Sequence, residues 1–331
     1  MTGQGGDLLD YYGGPAADIY FHRAAETLAA ERLDPDVTME FFVDRGGVVC
    51  GIKEAVDLLL KLLKGKDRLW ALEDGNRIAA NEVVLRVQAP YSRFGRYETA
   101  LLGMLASCSG WATAAREVVE AAAGKRVISF GARHVHPLVG PVMEYSAVVG
   151  GCAGCATPRG AELAGLTGPS GTMPHAMILI IGDTVEAGLA FDRHMPEDVL
   201  RIVLVDTFKD EAEESLRVAE AMRDRLRGVR LDTPRERGGV TLELVKEVRS
   251  RLDQAGHHHV GIFVSGGLTA ERIRHFVSAH APIDSFGVGM AIASASPLGF
   301  TADIKEVDGR PRAKRGRIPG MASSPHLREV R

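Results

Sequence analysis

No apolar run in the 331 residues reaches the roughly 18 needed to span a bilayer, so the sequence predicts no membrane helix and no membrane partner. Residues 1–10 are polar and Gly-rich, with no charged stretch followed by an apolar one, and are expected to hold no secretory leader. An excess of one charge is missing too. Forty basic residues against 43 acidic ones leave a net charge of −3, which argues against nucleic acid as a partner. Any bound anion must then be held by a local cluster of cations. Cysteine is scarce: Cys50, Cys108, Cys152 and Cys155 are the only four. Without a leader they read as reduced thiols of a cytoplasmic protein. Cys152 and Cys155 form a C-x-x-C, yet no second pair exists to complete a structural zinc site. Small thiols in a Gly/Ala-rich turn against a core are expected instead. His257, His258 and His259 are adjacent and so point in different directions, which predicts an exposed loop and no metal ligands from the protein. There is no internal repeat and no long low-complexity linker.

What is present is an ordinary globular balance. Hydrophobic residues make up 45% and charged residues 25%, enough for a core without staples, and the length suggests about two domains. The first part, 1–115, is mixed. Apolar spacing predicts helices over Asp18–Arg32 and Ile52–Leu63, strands over Val37–Val43 and Glu82–Ala89, and a long helix over Tyr97–Ala123. The rhythm then changes. Over 116–299, short β-branched or apolar runs alternate with helical segments. The runs are Arg126–Phe130, Met177–Ile181, Arg201–Val205, Val229–Leu231, Val260–Val264 and Ser285–Val288. Continuous apolar strands between helices are parallel strands covered by helices. The fold class is therefore α/β, an irregular, incomplete α/β barrel plus an N-terminal α/β domain. Phe300–Val307 breaks the βα rhythm, and residues 300–331 are expected to return to the first domain.

The ends of these runs hold the unusual residues, where a β/α barrel places its reacting groups. RVISF leads to GARHVHP, RIVLV to DTFKD, GVRL to DTPRERGG, VGIFV to SGGLTAE and SFGV to GMAIAS. Ser265, Gly266 and Gly267 open a helix whose N-terminus suits an anion, and Gly287 and Gly289 on the next run allow close backbone approach. These two late strands predict a monophosphate site. Arg133, Arg230, Arg235 and Arg237, with Lys125, Lys209 and Lys314, supply cations. Asp206 and Asp232 among them suit a sugar diphosphate, through ribose hydroxyls or Mg²⁺.

Read together, ADIY, RYETALLGMLASCSGWATAAREVV, SFGARHVHP, GGCAG, GPSGTMPHAMIL, VLVDTFKD, GVRLDT, FVSGGLTAE, FGVGMAIA and FTADIKEVDGRPRAKRGR resemble the nicotinate phosphoribosyltransferase family, within the type II phosphoribosyltransferases. The resemblance covers nearly the whole chain. It implies an N-terminal sandwich-like α/β domain, a homodimer or higher homo-oligomer with shared active sites, and the conversion of nicotinate and phosphoribosyl pyrophosphate to nicotinate mononucleotide and pyrophosphate. It further implies Mg²⁺ and, in many members, coupling to ATP. By resemblance, Tyr20 stacks on the pyridine ring of a neighbouring subunit and Phe130 is the opposing face. Arg133 and Arg230 lie near the ring, its carboxylate or the diphosphate. Asp206 and Asp232 face ribose or metal, Ser265, Gly266, Gly267, Gly287 and Gly289 hold the 5′-phosphate, and Lys314 closes on the diphosphate. His175 matches the histidine that ATP-coupled members phosphorylate; its alternative is to hydrogen-bond the diphosphate or ribose.

Departures carry information as well. The chain ends without the Cys-rich knuckle of some relatives, so no structural zinc is expected, and it is short for the family. Cys155, Ala156 and Thr157 stand where nicotinamide-using relatives place an Asp that would repel a carboxylate. This favours nicotinate. The same fold using nicotinamide or quinolinate is the alternative, as is a non-catalytic phosphoribosyl-binding relative. His134 and His136 read equally as ligand contacts or as structural residues.

Overall fold

The computed structural model describes residues 8–331, so most of the amino-terminal stretch expected to lack a leader lies outside the described residues. The chain divides into two units, one running to Thr113 and including Ser296–Arg331, the other Ala114–Ala295.

The first unit is built on an antiparallel sheet. Its strands run Arg310–Pro311, Phe300–Val307, Asp36–Val43, Val83–Pro90, Arg68–Ala71 and Arg328–Glu329 across the sheet. Val43 pairs with Phe300 and Val37 with Val307, while Phe41 pairs with Leu85 on the other side. The helix Ile52–Leu62 turns Ala55, Leu58 and Leu59 inward, and Phe41, Phe94, Leu59 and Leu85 are fully buried in that core.

The second unit contains a six-stranded, wholly parallel sheet. Its order is Gly154–Cys155, Arg126–Ser129, Ser285–Val288, Gly261–Val264, Gly228–Leu231 and Ile202–Leu204. The two outer strands do not pair with each other, so the barrel is incomplete. Val203, Val229, Ile262, Phe286 and Val288 are 0% exposed. That is why these runs read as unbroken apolar sequence: helices cover the sheet, and no face needs to be polar.

One run expected as a strand is not one. His175–Ile181 is a short helix between Pro174 and Gly182, the latter in the left-handed region at φ 93°. Proline before the first turn and glycine just after the last are helix start and stop signals. Only Ile178 of this helix is buried; Ile180 is 84% exposed. A parallel strand in this sheet would be buried along its whole length. The vacated place in the sheet is taken by Gly154–Cys155, so the segment expected to be a turn is partly a strand.

All four cysteines are free and buried. Burial first, then the nearby Glu144 carboxylate, pushes the Cys152 thiol up to about 12 and that of Cys155 to about 11. The three adjacent histidines occupy a turn, where His258 Nδ1 lies 3.0 Å from Asp253. Among the described residues no helix is long and apolar enough to cross a membrane, and no group of three or more His, Cys, Asp or Glu is placed to hold a metal.

Candidate active site

Consecutive strands of the parallel sheet end in residues of different chemistry, and the ends converge on a cleft of about 350 Å³. Its lining includes Phe130, Arg133, Thr172, His175, Arg230 and Asp232.

Phe130 follows the Arg126–Ser129 strand, and its amide donates to Val288 O at 2.8 Å. Its ring lies where a side chain on Gly287 would be: a Cβ there would come within 2.4 Å of the ring. The need for glycine at 287 is thus the aromatic ring beside it. Arg230, on the Gly228–Leu231 strand, places its Cζ 5.1 Å from the centre of the Phe130 ring. A guanidinium on an aromatic face is a stable pairing for a planar cation.

Arg230 is held on three sides. Nε donates to Ser265 Oγ at 2.9 Å, Nη1 to Thr172 Oγ1 at 3.1 Å, and Nη2 to Asp232 Oδ2 at 3.3 Å. Burial lowers its pKa, against the pull of Asp232 and Asp206 and with the nearby Arg133 cation adding to the lowering. Ser265 Oγ also donates to Asp232 Oδ1 at 2.9 Å. The buried Ser265 hydroxyl is therefore engaged by Arg230 and Asp232, a different placement from a free phosphate donor. Arg133 sits in the turn Ala132–His134 and forms no ion pair among the described residues.

Asp206 follows the Ile202–Leu204 strand. Its side chain is 1% exposed, yet neither carboxylate oxygen has a hydrogen-bond partner. Burial pushes its pKa up to about 6, with Asp232 adding to the rise and His175 opposing it. His175 is the first residue of its helix and lies between the two acids. Nε2 is 3.5 Å from Asp206 Oδ2 and 3.8 Å from Asp232 Oδ2, and Nδ1 is 3.1 Å from Thr207 Oγ1. Buried polar groups are normally paired, so an orphaned carboxylate beside a histidine and a second acid is a strong pointer to a ligand.

Beside Asp232 the chain turns at Gly266 and Gly267, both left-handed at φ 87° and 59°. A Cβ on Gly266 would come within 2.8 Å of Asp232 Oδ1. Arg272, one turn into the following helix, donates to the carbonyls of Gly266, Gly267 and Val240 at 3.2, 3.0 and 3.0 Å. With those carbonyls tied back, the amides of Gly266, Gly267 and Leu268 have no partner among the described residues. They stand at the N-terminus of Ala270–Ser278, a favourable place for an anion. Gly289 packs against Phe130 O and His134 Nε2, which a Cβ would approach to 2.8 and 3.0 Å.

Family models match both units. The N-terminal domain of quinolinate phosphoribosyl transferase covers residues 18–109, and its C-terminal domain covers residues 111–303. The chain belongs to the type II phosphoribosyltransferase family. It is 32% identical over 285 residues to a nicotinate phosphoribosyltransferase of Mycobacterium tuberculosis, covering 80% of this chain and 58% of that protein. To a nicotinate phosphoribosyltransferase of Bacillus subtilis it is 26% identical over 229 residues, covering 68% and 46%. The chain thus spans about half the length of these two relatives. Among solved structures, nicotinate-nucleotide pyrophosphorylase from Pyrococcus furiosus matches with a TM-score of 0.88 and 41% identity, covering 97% of this chain and 82% of that one. Human nicotinic acid phosphoribosyltransferase shares the fold, with a TM-score of 0.74 at 19% identity over 92% and 77% of the two chains.

In this member of the type II phosphoribosyltransferase family, Phe130, Arg133, His175, Asp206, Arg230, Asp232 and Ser265 come together in the second unit, with Gly266, Gly267, Gly287 and Gly289 beside them. Tyr20 and Lys314 belong to the first unit. Tyr20 is 58% exposed on the helix Ile19–Ala30, its ring 4.3 Å from that of Phe21. Lys314 Nζ lies 3.3 Å from Asp303, which also pairs with Arg317 at 2.8 Å. Two of the cations read from sequence act elsewhere: Lys125 donates to Ile283 O at 2.6 Å, and Lys209 pairs with Glu213 on the helix that follows it. His136 Nδ1 accepts from the Leu138 amide at 3.3 Å. Thr172, Thr207 and Arg272 are site residues that sequence reading missed. Thr172 and Thr207 lie within the quoted GPSGTMPHAMIL and DTFKD, but their roles, like that of Arg272, carry no signal in one sequence.

Proposed function

We propose that the chain is a nicotinate phosphoribosyltransferase, joining nicotinate to phosphoribosyl pyrophosphate with release of pyrophosphate. The observation that carries this is the division of labour between the two arginines of the cleft. Arg230 is committed to Ser265, Thr172 and Asp232, which leaves Arg133 as the cleft arginine without an ion-pair partner. One uncommitted guanidinium beside an aromatic ring suits a flat heterocycle with one carboxylate. Quinolinate brings two. Ala156, Ser170 and Thr172 line the same cleft, and its acid, Asp232, is paired with Arg230. The curated relatives named nicotinate phosphoribosyltransferases support this reading, while the matching family models bear the quinolinate phosphoribosyl transferase name.

In this reading Phe130 and Arg133 hold the pyridine. Tyr20, supplied by a second copy in a homodimer or larger homo-oligomer, covers its other face. The free amides after Ser265 take the 5′-phosphate. The ring nitrogen already has a lone pair, so no strong base is required. The protein's task is to align that nitrogen with C1 of the ribose and to stabilise a departing pyrophosphate. Asp206, with two orphaned buried oxygens, and Asp232 are the residues that would hold Mg²⁺, jointly with the diphosphate and water, because no all-protein cage is present among the described residues. The ion, when bound, would neutralise charge on the leaving group.

Pyrophosphate release with nicotinate, nicotinamide and quinolinate, each with and without ATP, tests the reading. Nicotinate is expected to exceed the others by roughly a hundredfold in kcat/KM, the scale set by an unpaired buried charge. Turnover of quinolinate alone would replace it. Arg272→Ala is expected to raise KM for phosphoribosyl pyrophosphate roughly tenfold with little change in kcat, because it releases the carbonyls that keep the Gly266–Gly267 amides outward. Initial rates against phosphoribosyl pyrophosphate concentration check this.

A further inference from the structure

The C-x-x-C segment lies at one edge of the parallel sheet, where Gly154–Cys155 pairs with Arg126–Ser129. Ser129 is in register with Cys155. The next residues, Phe130 and Ala156, therefore leave adjacent strand ends, and both line the cleft. A two-residue edge strand has too few ladder bonds to hold such a wall by itself.

Glu144 supplies what the strand lacks. It stands on the helix Gly140–Val149, is 0% exposed, and forms no ion pair among the described residues. Its Oε2 accepts from the Thr157 amide at 2.8 Å, and its Oε1 accepts from the Ser129 hydroxyl at 3.3 Å. One carboxylate thus holds the residue before Phe130 and the residue after Ala156. A backbone amide can only donate, so the bond to Thr157 has one direction. Met143, the preceding residue, packs under Gly131, where a Cβ would come within 2.7 Å of its Cε. Gly160 closes the joint beside Thr157: a Cβ there would come within 2.7 Å of Thr157 Oγ1 and 2.9 Å of Glu144 Cβ. Ser170, also in the cleft lining, donates its amide to Cys155 O at 2.7 Å. A buried acid without a counter-ion is costly, and packing alone would be served by leucine.

We propose that Glu144 is a positioning residue for the pyridine: by accepting from Ser129 and Thr157 it fixes the spacing between Phe130 and Ala156, two neighbouring walls of the ring's pocket. The C-x-x-C segment carries one of those walls, and the carboxylate holds it still. That the pocket takes a pyridine rests on the transferase reading; the anchor does not.

The experiment joins hydrogen exchange on the full-length protein to pyrophosphate-release kinetics, with whichever of nicotinate, nicotinamide and quinolinate the parent turns over. Glu144→Leu keeps the bulk and removes the acceptors. It is expected to raise KM for the pyridine roughly tenfold, with kcat and KM for phosphoribosyl pyrophosphate changed less than about twofold. Amide exchange should quicken roughly tenfold over 153–158 and stay unchanged over 261–268. Glu144→Gln still accepts from Thr157 and can donate to the Ser129 hydroxyl, so it should restore most of both. If Glu144→Leu does not fold, Gly160→Ala replaces it; it crowds the same joint without removing a polar group and should raise the same KM. A rise in both KM values together, a Glu144→Gln no better than Glu144→Leu, or unchanged exchange over 153–158 overturns the proposal. A parent that turns over none of the three pyridines overturns the transferase reading instead, and exchange still decides the anchor.

Discussion

Arg230→Ala is expected to lower kcat/KM roughly a thousandfold, the upper range for losing a preorganised cation, and to cost about 3 kcal/mol of stability, as for breaking a buried ion pair. Both effects have one origin. The guanidinium is mostly buried and ties Ser265, Thr172 and Asp232 together while lying on the Phe130 ring. Without it Asp232 keeps Ser265 as a donor but loses its counter-charge, and it faces the buried Asp206 carboxylate across His175. Arg230→Lys should recover little of either loss, because an ammonium cannot serve three partners from one planar fork. Urea unfolding followed by circular dichroism, beside pyrophosphate-release rates, measures the two effects separately. Unchanged stability in Arg230→Ala would show that the acids are neutralised by another group.

Asp206→Asn is expected to act in opposite directions on stability and turnover. The native carboxyl has its pKa raised by burial to about 6, above the 3.8 of an unperturbed aspartate. Between these values the folded protein holds a proton that the unfolded chain has released. Folding takes up that proton, so this group's contribution becomes less favourable as pH rises through the window and stays so above it. Two pKa units correspond to roughly 3 kcal/mol at most. Removing the charge should therefore stabilise the protein at pH 8 by about 1–3 kcal/mol and leave stability near pH 4 almost unchanged. Turnover should fall roughly a hundredfold, the scale for losing a carboxylate that supports a metal or its ligands. A site that stores an unpaired buried charge has traded stability for function. Unfolding curves at several pH values between 4 and 8 decide it; a variant no more stable than the parent at pH 8 would mean that Asp206 is already compensated.

Much of the sheet was legible because its strands are buried on both faces. Val203, Val229, Ile262 and Phe286 belong to runs that are apolar apart from site residues such as Arg230, and such runs stand out between helices. The same property misled at Met177–Ile181. A short apolar run has no periodicity to separate strand from helix, and only the flanking Pro174 and Gly182 mark the ends of a helical turn. Conversely, Gly154–Cys155 is a two-residue strand rich in small residues, too short and too plain to register. At the site, Phe130, Arg133, Asp206, Arg230 and Asp232 were legible because chemistry at strand ends is where this architecture binds its ligands. Arg272 and Thr207 were not. Their roles depend on which carbonyls and which ring nitrogen lie within hydrogen-bond reach, and no spacing along one chain encodes that.

By itself, then, the sequence determined the succession of parallel strands and helices and the order of polar residues at their ends, since both follow from local hydrophobicity and turn chemistry. Only the tertiary structure decided what those residues do to one another. It committed Arg230 inward and left Arg133 free, placed Phe130 in the space that Gly287 leaves open, and buried Asp206 without a donor. Burial, distance and the count of available partners set the charge of each group, and these come into being only when segments far apart in the chain meet.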